Sequence, residues 1–145
     1  MVGVEFDMVV TDSLKALELY EKIFDIKRVE VSDFAKGENE VVFTLYGTRF
    51  HMLDENPEFG LIAPNPDNPK TIWFNIIVLD INETFAKVVG AGCTVIQPVT
   101  ELPEYGVSMA IFHDDFGYQW MLHQTHKAVS FEDRMRLWEE NRADN

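Results

Sequence analysis

The chain repeats itself at a spacing of about 68 residues, and this repeat limits the folds that it can adopt. The segment "MVVTD" at 8–12 matches "IIVLD" at 76–80. In the same way, "GTRFHML" at 47–53 matches "GYQWML" at 117–122. A spacing of this length exceeds the period of solenoid repeats. The repeat therefore predicts two copies of one folding unit.

Each half of the chain shows the same order of predicted elements. Alternating apolar residues predict strands, and apolar residues three or four apart predict a helix. In the first half these are a strand at 4–10, a helix at 14–24 and strands at 27–34, 40–47 and 48–54. In the second half they are a strand at 71–80, a helix at 81–92 and strands at 93–99, 105–114 and 118–124. We therefore expect an α+β fold of two βαβββ modules that form a curved mixed sheet around a cleft.

The 145 residues suit a single domain with four parts. These are module one at 1–54, a linker at 55–70, module two at 71–126 and a C-terminal helix at 127–145. The linker holds four of the six prolines, which cannot donate to a sheet ladder. The turn between the last two strands is predicted at 114–117.

The predicted C-terminal helix carries an apolar stripe of Phe131, Met135 and Trp138. Ser130 followed by Asp133 is a variant of the capping box that begins many helices. The stripe favours packing on its own domain over packing on a partner subunit, and both alternatives remain open at this point.

Charge and composition exclude several classes of partner. The formal net charge of −13 disfavours nucleic acid, whose phosphates would be repelled. It leaves two explanations, which are solubility and attraction of a cationic small molecule. No run of 18 apolar residues predicts a membrane span, and the first residues do not resemble a secretory signal. The single cysteine, Cys93, forms no internal disulfide, and we expect a cytoplasmic protein.

A family resemblance rests on the last strand and on the strand–Asp–helix starts. The pattern D-x-x-G-x-x-W-x-L at 114–122 resembles the vicinal oxygen chelate superfamily, which includes glyoxalase I, bleomycin-resistance proteins, fosfomycin-modifying enzymes and extradiol dioxygenases. Trp120 is similar to the tryptophan of the PhnB-like branch, whose ending is D-P-F-G-x-x-W. Here Asp115 stands in place of the proline. The resemblance implies a small-molecule ligand and a homodimer.

The resemblance also implies four positions for metal ligands. One lies seven residues before each strand-ending Asp, and one lies four residues beyond each turn glycine. These positions hold Glu5, His51, Trp73 and Met121. Glu and His suit a divalent ion such as Zn, Ni, Mn or Fe. Trp cannot ligate and Met is a soft ligand, so only Glu5 and His51 remain as predicted metal ligands.

Strand alternation predicts which side chains face the cleft and which pack under the helices. The helix side holds Phe6, Met8, Val10, Phe50, Met52, Phe74, Ile76, Val78, Trp120 and Leu122. The eight predicted cleft residues are Glu5, Asp7, Arg49, His51, Trp73, Asn75, Gln119 and Met121. Aromatic walls with a few polar groups are typical of a small-molecule pocket. Structural pairing of Arg49 with Asp7, or of Glu5 with His51, is an equal alternative to a role in ligand binding.

Two functions remain open from the sequence, and whether the chain is an enzyme stays undecided. The favoured hypothesis is a protein that binds a small molecule in its cleft without a full metal site, where Trp73 stacks on the ligand and Glu5 and Asp7 favour a cation. The alternative is a metal-dependent lyase, isomerase or dioxygenase that uses Glu5 and His51 as ligands. Neither hypothesis assigns a catalytic residue. The histidines at 113, 123 and 126 are predicted to be surface or hydrogen-bonded residues, and Cys93 is predicted to be buried.

Overall fold

The structure is a computed structural model, which describes residues 2–143. Met1 and the last two residues, which are the outer ends of the predicted ranges 1–54 and 127–145, lie outside the described residues. The first half contains β1 (Phe6–Val10), α1 (Ser13–Ile23), β2 (Ile26–Val31), β3 (Glu40–Leu45) and β4 (Thr48–Asp54). The second half contains β5 (Phe74–Ile77), α2 (Ile81–Gly90), β6 (Thr94–Leu102), β7 (Val107–His113) and β8 (Gln119–Thr125), followed by α3 (Phe131–Ala143). Below, module one means β1 to β4 with α1, and module two means β5 to β8 with α2.

The two modules have the same sheet topology. The strand order is β1-β4-β3-β2 in one sheet and β5-β8-β7-β6 in the other. In each sheet the first strand pairs parallel to the last, and the other pairs are antiparallel. The predicted fold of two βαβββ modules with mixed sheets and a C-terminal helix is therefore confirmed. None of the helices within residues 2–143 has the length and apolar character needed to span a membrane.

The aspartates of the repeat begin the two helices. The Asp12 side chain accepts a hydrogen bond from the backbone N–H of Lys15 at 3.1 Å. Asp80 accepts one from the N–H of Glu83 at the same distance. A cap of this kind satisfies an N–H group that has no partner within the helix. The repeated Asp therefore marks the point where a strand turns into a helix.

The helix-covered faces of both sheets share one core. The ring of Tyr20 on α1 lies 5.1 Å from that of Trp120 on β8, and the ring of Phe50 on β4 lies 5.3 Å from that of Phe74 on β5. Trp120 is fully buried, as the predicted alternation requires. The predicted cleft residues on the strands alternate with these side chains, so they lie on the opposite, outer faces of the two sheets.

Asp114 links the two modules inside this core. Its carboxylate accepts hydrogen bonds from Tyr20 Oη at 2.6 Å and Trp120 Nε1 at 2.9 Å. It also accepts from the backbone N–H groups of Phe116 and Tyr118. Burial, together with the negative charge of Asp114, raises the pKa of Tyr20 well above its usual value. Asp114, which is predicted to lie in a turn, thus also joins the two modules by accepting hydrogen bonds from both.

The turn between β3 and β4 contains an unusual residue. Tyr46 has φ 47° and Gly47 has φ 84°, so both central residues are left-handed. Two-residue hairpin turns of this type favour Asn or Asp followed by Gly. A side chain such as Tyr is disfavoured there by roughly 1–2 kcal/mol. Tyr46 thus adopts a backbone conformation that a residue with a large side chain disfavours.

The C-terminal helix begins as predicted but packs differently. Ser130 Oγ accepts a hydrogen bond from the N–H of Asp133 at 3.1 Å, which confirms the cap. Phe131, Met135 and Trp138 are all exposed, so the prediction that this stripe packs on its own domain was wrong. The reason is that α3 contacts the short 3-10 turn at Pro103–Tyr105. Leu137 is half-buried in this arrangement, whereas the stripe remains exposed.

Candidate functional site

The outer face of module one gathers three residues that can bind a cation. Atoms of Glu5, Asp7 and His51 that can act as ligands lie within 4.8 Å of one another. His51 Nδ1 is 3.4 Å from Asp7 Oδ2 and 3.6 Å from Glu5 Oε1. On its other side, His51 Nε2 is 3.4 Å from Glu40 Oε2. Three carboxylates therefore surround one imidazole ring, and we refer to Glu5, Asp7, Glu40 and His51 as the acidic face.

The strand register explains which of these side chains meet. In the parallel pair β1–β4, Asp7 lies beside His51 and Phe6 beside Phe50. One step earlier, this register brings Glu5 beside Arg49, and Arg49 Nε donates a hydrogen bond to Glu5 Oε2 at 2.6 Å. The predicted Arg49–Asp7 pair is therefore wrong, whereas the alternative approach of Glu5 to His51 is seen. The Arg49 guanidinium holds the pKa of Glu5 below its usual value.

Glu40 belongs to this group as well, and it is not among the residues predicted from the sequence. It is the first residue of β3, the strand that lies beside β4. The buried residues Val41, Phe43 and Leu45 define the core side of that strand. Alternation from them would have placed Glu40 on the outer face, so a signal existed. Glu40 raises the number of carboxylates on the acidic face to three, whereas the Arg49 guanidinium pairs with Glu5, so the acidic face keeps a surplus of negative charge.

The corresponding residues of module two form a second, uncharged group. Asn75 Nδ2 lies 3.4 Å from His123 Nδ1, and Gln119 Oε1 lies 2.8 Å from His113 Nε2. Met121 lies beside Asn75 in the β5–β8 pair and is partly buried. Within residues 2–143, the side-chain hydrogen bonds and ion pairs of the eight predicted residues connect members of the same module only.

Trp73 stands apart from both groups. The sequence pattern places it inside a strand, but β5 begins one residue later, at Phe74. Its side chain is 51% exposed and lines a cavity where the two modules meet. The strand is shorter than predicted because its ladder to β8 starts at the Phe74–Trp120 pair.

Two of the four positions that the family resemblance implies for metal ligands hold residues that are poor ligands, Trp73 and Met121. Trp73 offers no ligating atom, and the thioether of Met121 is a poor ligand for ions that prefer oxygen. The carboxylate of Glu5 is also engaged by Arg49 at 2.6 Å. A different set of ligands for a metal ion is present, because Asp7 supplies an additional oxygen donor beside Glu5 and His51.

Other reactive side chains have structural surroundings. Cys93 is buried, and burial raises the pKa of its thiol to about 12, so the thiolate is absent at neutral pH. His126 Nε2 lies 2.8 Å from the hydroxyl of the buried Ser108. With the contacts of His113 and His123 given above, all three histidines are hydrogen-bonded, as predicted.

Solved structures with the same fold cover almost the whole chain. A variant of FosX, a fosfomycin resistance protein from Listeria monocytogenes, was solved with Mn(II) and 1S,2S-dihydroxypropylphosphonic acid. It matches with a TM-score of 0.67 and 15% identity over 95% of this chain and 98% of that chain. TioX from Micromonospora sp. ML1 matches with a TM-score of 0.63 and 15% identity over 89% and 100% of the two chains. A hypothetical protein from S. aureus matches with a TM-score of 0.62 and 20% identity over 86% and 97%. At these identities the likeness is one of fold.

The sequence comparisons agree with this fold. No curated protein matches the chain in sequence. The model of the Glyoxalase/Bleomycin resistance protein/Dioxygenase superfamily matches residues 4–122, which is most of the chain and includes both modules up to β8. The chain therefore belongs to the glyoxalase/bleomycin resistance protein/dioxygenase superfamily.

Proposed function

We propose that this protein binds a small cationic molecule on the acidic face, without a complete metal site of the family type. The observation that carries the proposal is the surplus of carboxylates around His51. Three carboxylates, those of Glu5, Asp7 and Glu40, lie near this ring. The guanidinium of Arg49 pairs with Glu5. A face of one sign of charge attracts ligands of the opposite sign. The overall charge of −13 acts in the same direction.

The Arg49–Glu5 pair supports binding of an organic cation over a metal. A divalent ion at Glu5 would have to displace the guanidinium, which holds this carboxylate at 2.6 Å. An organic cation can instead use the exposed carboxylates of Asp7 and Glu40 and leave that pair intact. Ligand binding then needs no rearrangement of the salt bridge.

A thermal-shift comparison tests the choice of a cation. Benzamidine and benzamide have almost the same shape, but only benzamidine is charged at neutral pH. We expect benzamidine to raise the melting temperature, since it binds the folded state, and benzamide to have a much smaller effect. The substitution Asp7→Asn should abolish the difference, whereas Gln119→Ala on module two should leave it unchanged. Equal stabilisation by the two compounds would refute the proposal.

The second candidate function is a metal-dependent lyase, isomerase or dioxygenase. It is favoured by the convergence of Glu5, Asp7 and His51 within 4.8 Å and by the Mn(II) in the FosX variant. A bound Zn, Ni, Mn or Fe ion would act as a Lewis acid on adjacent oxygen atoms of a substrate. Whether the protein is an enzyme depends on this point.

Elemental analysis separates the two candidates. Protein purified without a chelator would be soaked in Zn, Ni, Mn and Fe salts, desalted and compared with the Glu5→Ala, His51→Ala double variant. The binding proposal expects no stoichiometric metal in either protein. One metal per chain that is lost in the double variant would establish the second candidate.

We also propose that the protein is a homodimer whose interface includes the exposed side chain of Leu79. Leu79, next to β5, is 97% exposed, and an apolar side chain in this position suits an interface. Sedimentation should give the mass of two chains, and Leu79→Lys should reduce it to one. A monomeric native protein would contradict the proposal.

The PhnB-like branch and a cytoplasmic location remain predictions. The branch is supported by Asp114, Gly117 and Trp120 in the D-x-x-G-x-x-W pattern, since Trp120 Nε1 donates to Asp114. The location is supported by the presence of a single cysteine in the sequence. Immunolocalisation of the protein in its own cell would test the second prediction.

A further inference from the structure

A cavity of about 470 Å³ lies where the two modules meet, and the functions proposed above do not use it. Its main walls are Phe6, Tyr46, Phe50, Ile72, Trp73 and Ile77, and its polar groups come from Thr48 and Asn75. None of the described residues that line it is charged. Its volume falls within the range typical of small-molecule sites, which are mostly apolar with a few polar groups.

Three phenylalanine rings form a fixed aromatic wall. The ring of Phe74 makes edge contacts with Phe50 at 5.3 Å and 78°, and with Phe6 at 6.0 Å and 66°. The rings of Phe6 and Phe50 lie 5.5 Å apart. Contacts of this geometry are favourable and hold each ring in place. The wall is therefore formed in advance, and a ligand does not have to order it.

Two aromatic side chains at the rim are left without full cover. Trp73 is 51% exposed and Tyr46 is 55% exposed. Tyr46 also has the left-handed φ of 47°. Strained backbone of this kind tends to persist at binding sites, where the position of the side chain matters more than the ease of the turn. The strained turn places a large aromatic residue, rather than the favoured Asn, beside the cavity.

We propose that this cavity binds a neutral, flat aromatic molecule of two fused rings. The molecule is neutral because none of the described lining residues offers a charge to pair with. It is aromatic because Phe6, Tyr46 and Trp73 offer ring faces and edges, and the hydroxyl of Thr48 and the amide of Asn75 can each hydrogen-bond to a polar substituent. Phe6 and Phe50 alternate with Glu5, Asp7, Arg49 and His51 along their strands, so the cavity is separate from the acidic face.

A fluorescent titration tests the proposal. N-phenyl-1-naphthylamine is a neutral, flat probe whose emission rises in apolar surroundings. We expect saturable binding of one probe per chain and weaker binding of its anionic sulfonated analogue. Trp73→Ala and Tyr46→Asn should each weaken binding of the neutral probe about tenfold. Tyr46→Asn is especially informative because Asn favours the left-handed conformation, so any loss of binding is not a loss of folding.

The matched control is Phe34→Ala, which removes an aromatic side chain that is 66% exposed elsewhere on the surface. It should leave the affinity for the probe unchanged. Binding that fails to saturate, that survives both cavity variants, or that weakens equally in the control would overturn the proposal. If Trp73→Ala converted a dimer into a monomer and left probe binding intact, the cavity would be an interface between copies. The failure of benzamidine to bind would leave this test unaffected, because the two sites share no residue.

Discussion

The two modules agree on the side of each strand that faces the core and differ on the side that faces outward. Phe50 and Trp120 follow the two turn glycines at the same distance, and both are buried. Asp12 and Asp80 both cap the following helix. These positions have the same task in both modules, because packing density and cap geometry restrict which side chains fit.

The outer positions show the opposite behaviour. The corresponding pairs are Glu5 and Trp73, Asp7 and Asn75, Arg49 and Gln119, and His51 and Met121. Each ionisable side chain of module one has an uncharged counterpart in module two. The same fold therefore presents one charged outer face and one neutral outer face. The outer residues of a strand can thus differ in charge between the modules, while the buried residues of the same strand maintain the fold.

The largest expected effect comes from Asp114 of module two. Among the described residues, it carries the only buried carboxylate that contacts side chains of both modules. Asp114→Ala should lower the free energy of unfolding by about 3–4 kcal/mol, because the buried donors of Tyr20 and Trp120 lose their acceptor. Chemical denaturation would measure it. The exposed neighbour gives the control, since Asp115→Ala should change stability by less than about 0.5 kcal/mol. A loss below about 1 kcal/mol for Asp114→Ala would show that the junction does not depend on this carboxylate.

The turn glycines allow a direct comparison between the modules. Gly47 and Gly117 both have positive φ, but a Cβ at Gly117 would lie 2.7 Å from Pro64 Cβ, while one at Gly47 would meet nothing within 4 Å. Gly47→Ala should destabilise by about 1–2 kcal/mol from backbone strain alone. Gly117→Ala should destabilise by about 3 kcal/mol, since a clash is added. Equal losses in denaturant melts would contradict the difference between the turns.

Acid stability should depend on Asp54 of module one. Burial by itself would raise the pKa of Asp54, but hydrogen bonds from Ser13, Gly37 and Asn39 outweigh it and hold the pKa below its ordinary value of 3.8. Because the folded pKa is the lower one, the charged form stabilises the fold above pH 3.8, and this contribution is lost as the pH falls through the folded value.

The substitution Asp54→Asn tests this dependence. It should lower the free energy of unfolding by about 2 kcal/mol at neutral pH, because an amide cannot accept all four hydrogen bonds. The difference between variant and native protein should shrink as the pH falls below 3.8. A difference that stays constant from neutral to acid pH would show that the charge of Asp54 does not matter. Urea melts at several pH values would provide the measurement.

The smallest expected effect concerns the outer faces themselves. Arg49→Met should raise the affinity for benzamidine about fivefold, because it removes a positive charge beside the acidic face that repels a cationic ligand. The folding stability should hardly change, since exposed ion pairs contribute little. Gln119→Met is the matched change on module two and should have no effect on affinity. Equal effects of the two variants in calorimetric titrations would remove the proposed contrast between the faces.

Much of the fold could be predicted from the sequence because the signals are local. Alternation identified the buried side of β1, β4 and β8, and the repeated Asp identified both helix starts. Less of the candidate site could be predicted. The partner of Arg49 depends on the register of β1 against β4, and this register is set by pairing between strands more than 40 residues apart. The role of Asp114 was missed because its partner Tyr20 lies 94 residues away.

The sequence by itself determined the two-module fold, because residue identity, periodicity and spacing are properties that the chain has before it folds. The family resemblance in that sequence also predicted four metal positions, two of which hold Trp73 and Met121. Only the tertiary structure decided that Glu5 pairs with Arg49, that Glu40 joins the acidic face and that the stripe of α3 stays exposed. These features depend on how the two modules pack together. Burial of apolar side chains between the helix-covered faces fixes that packing. The contacts between side chains on the outer faces then follow from it.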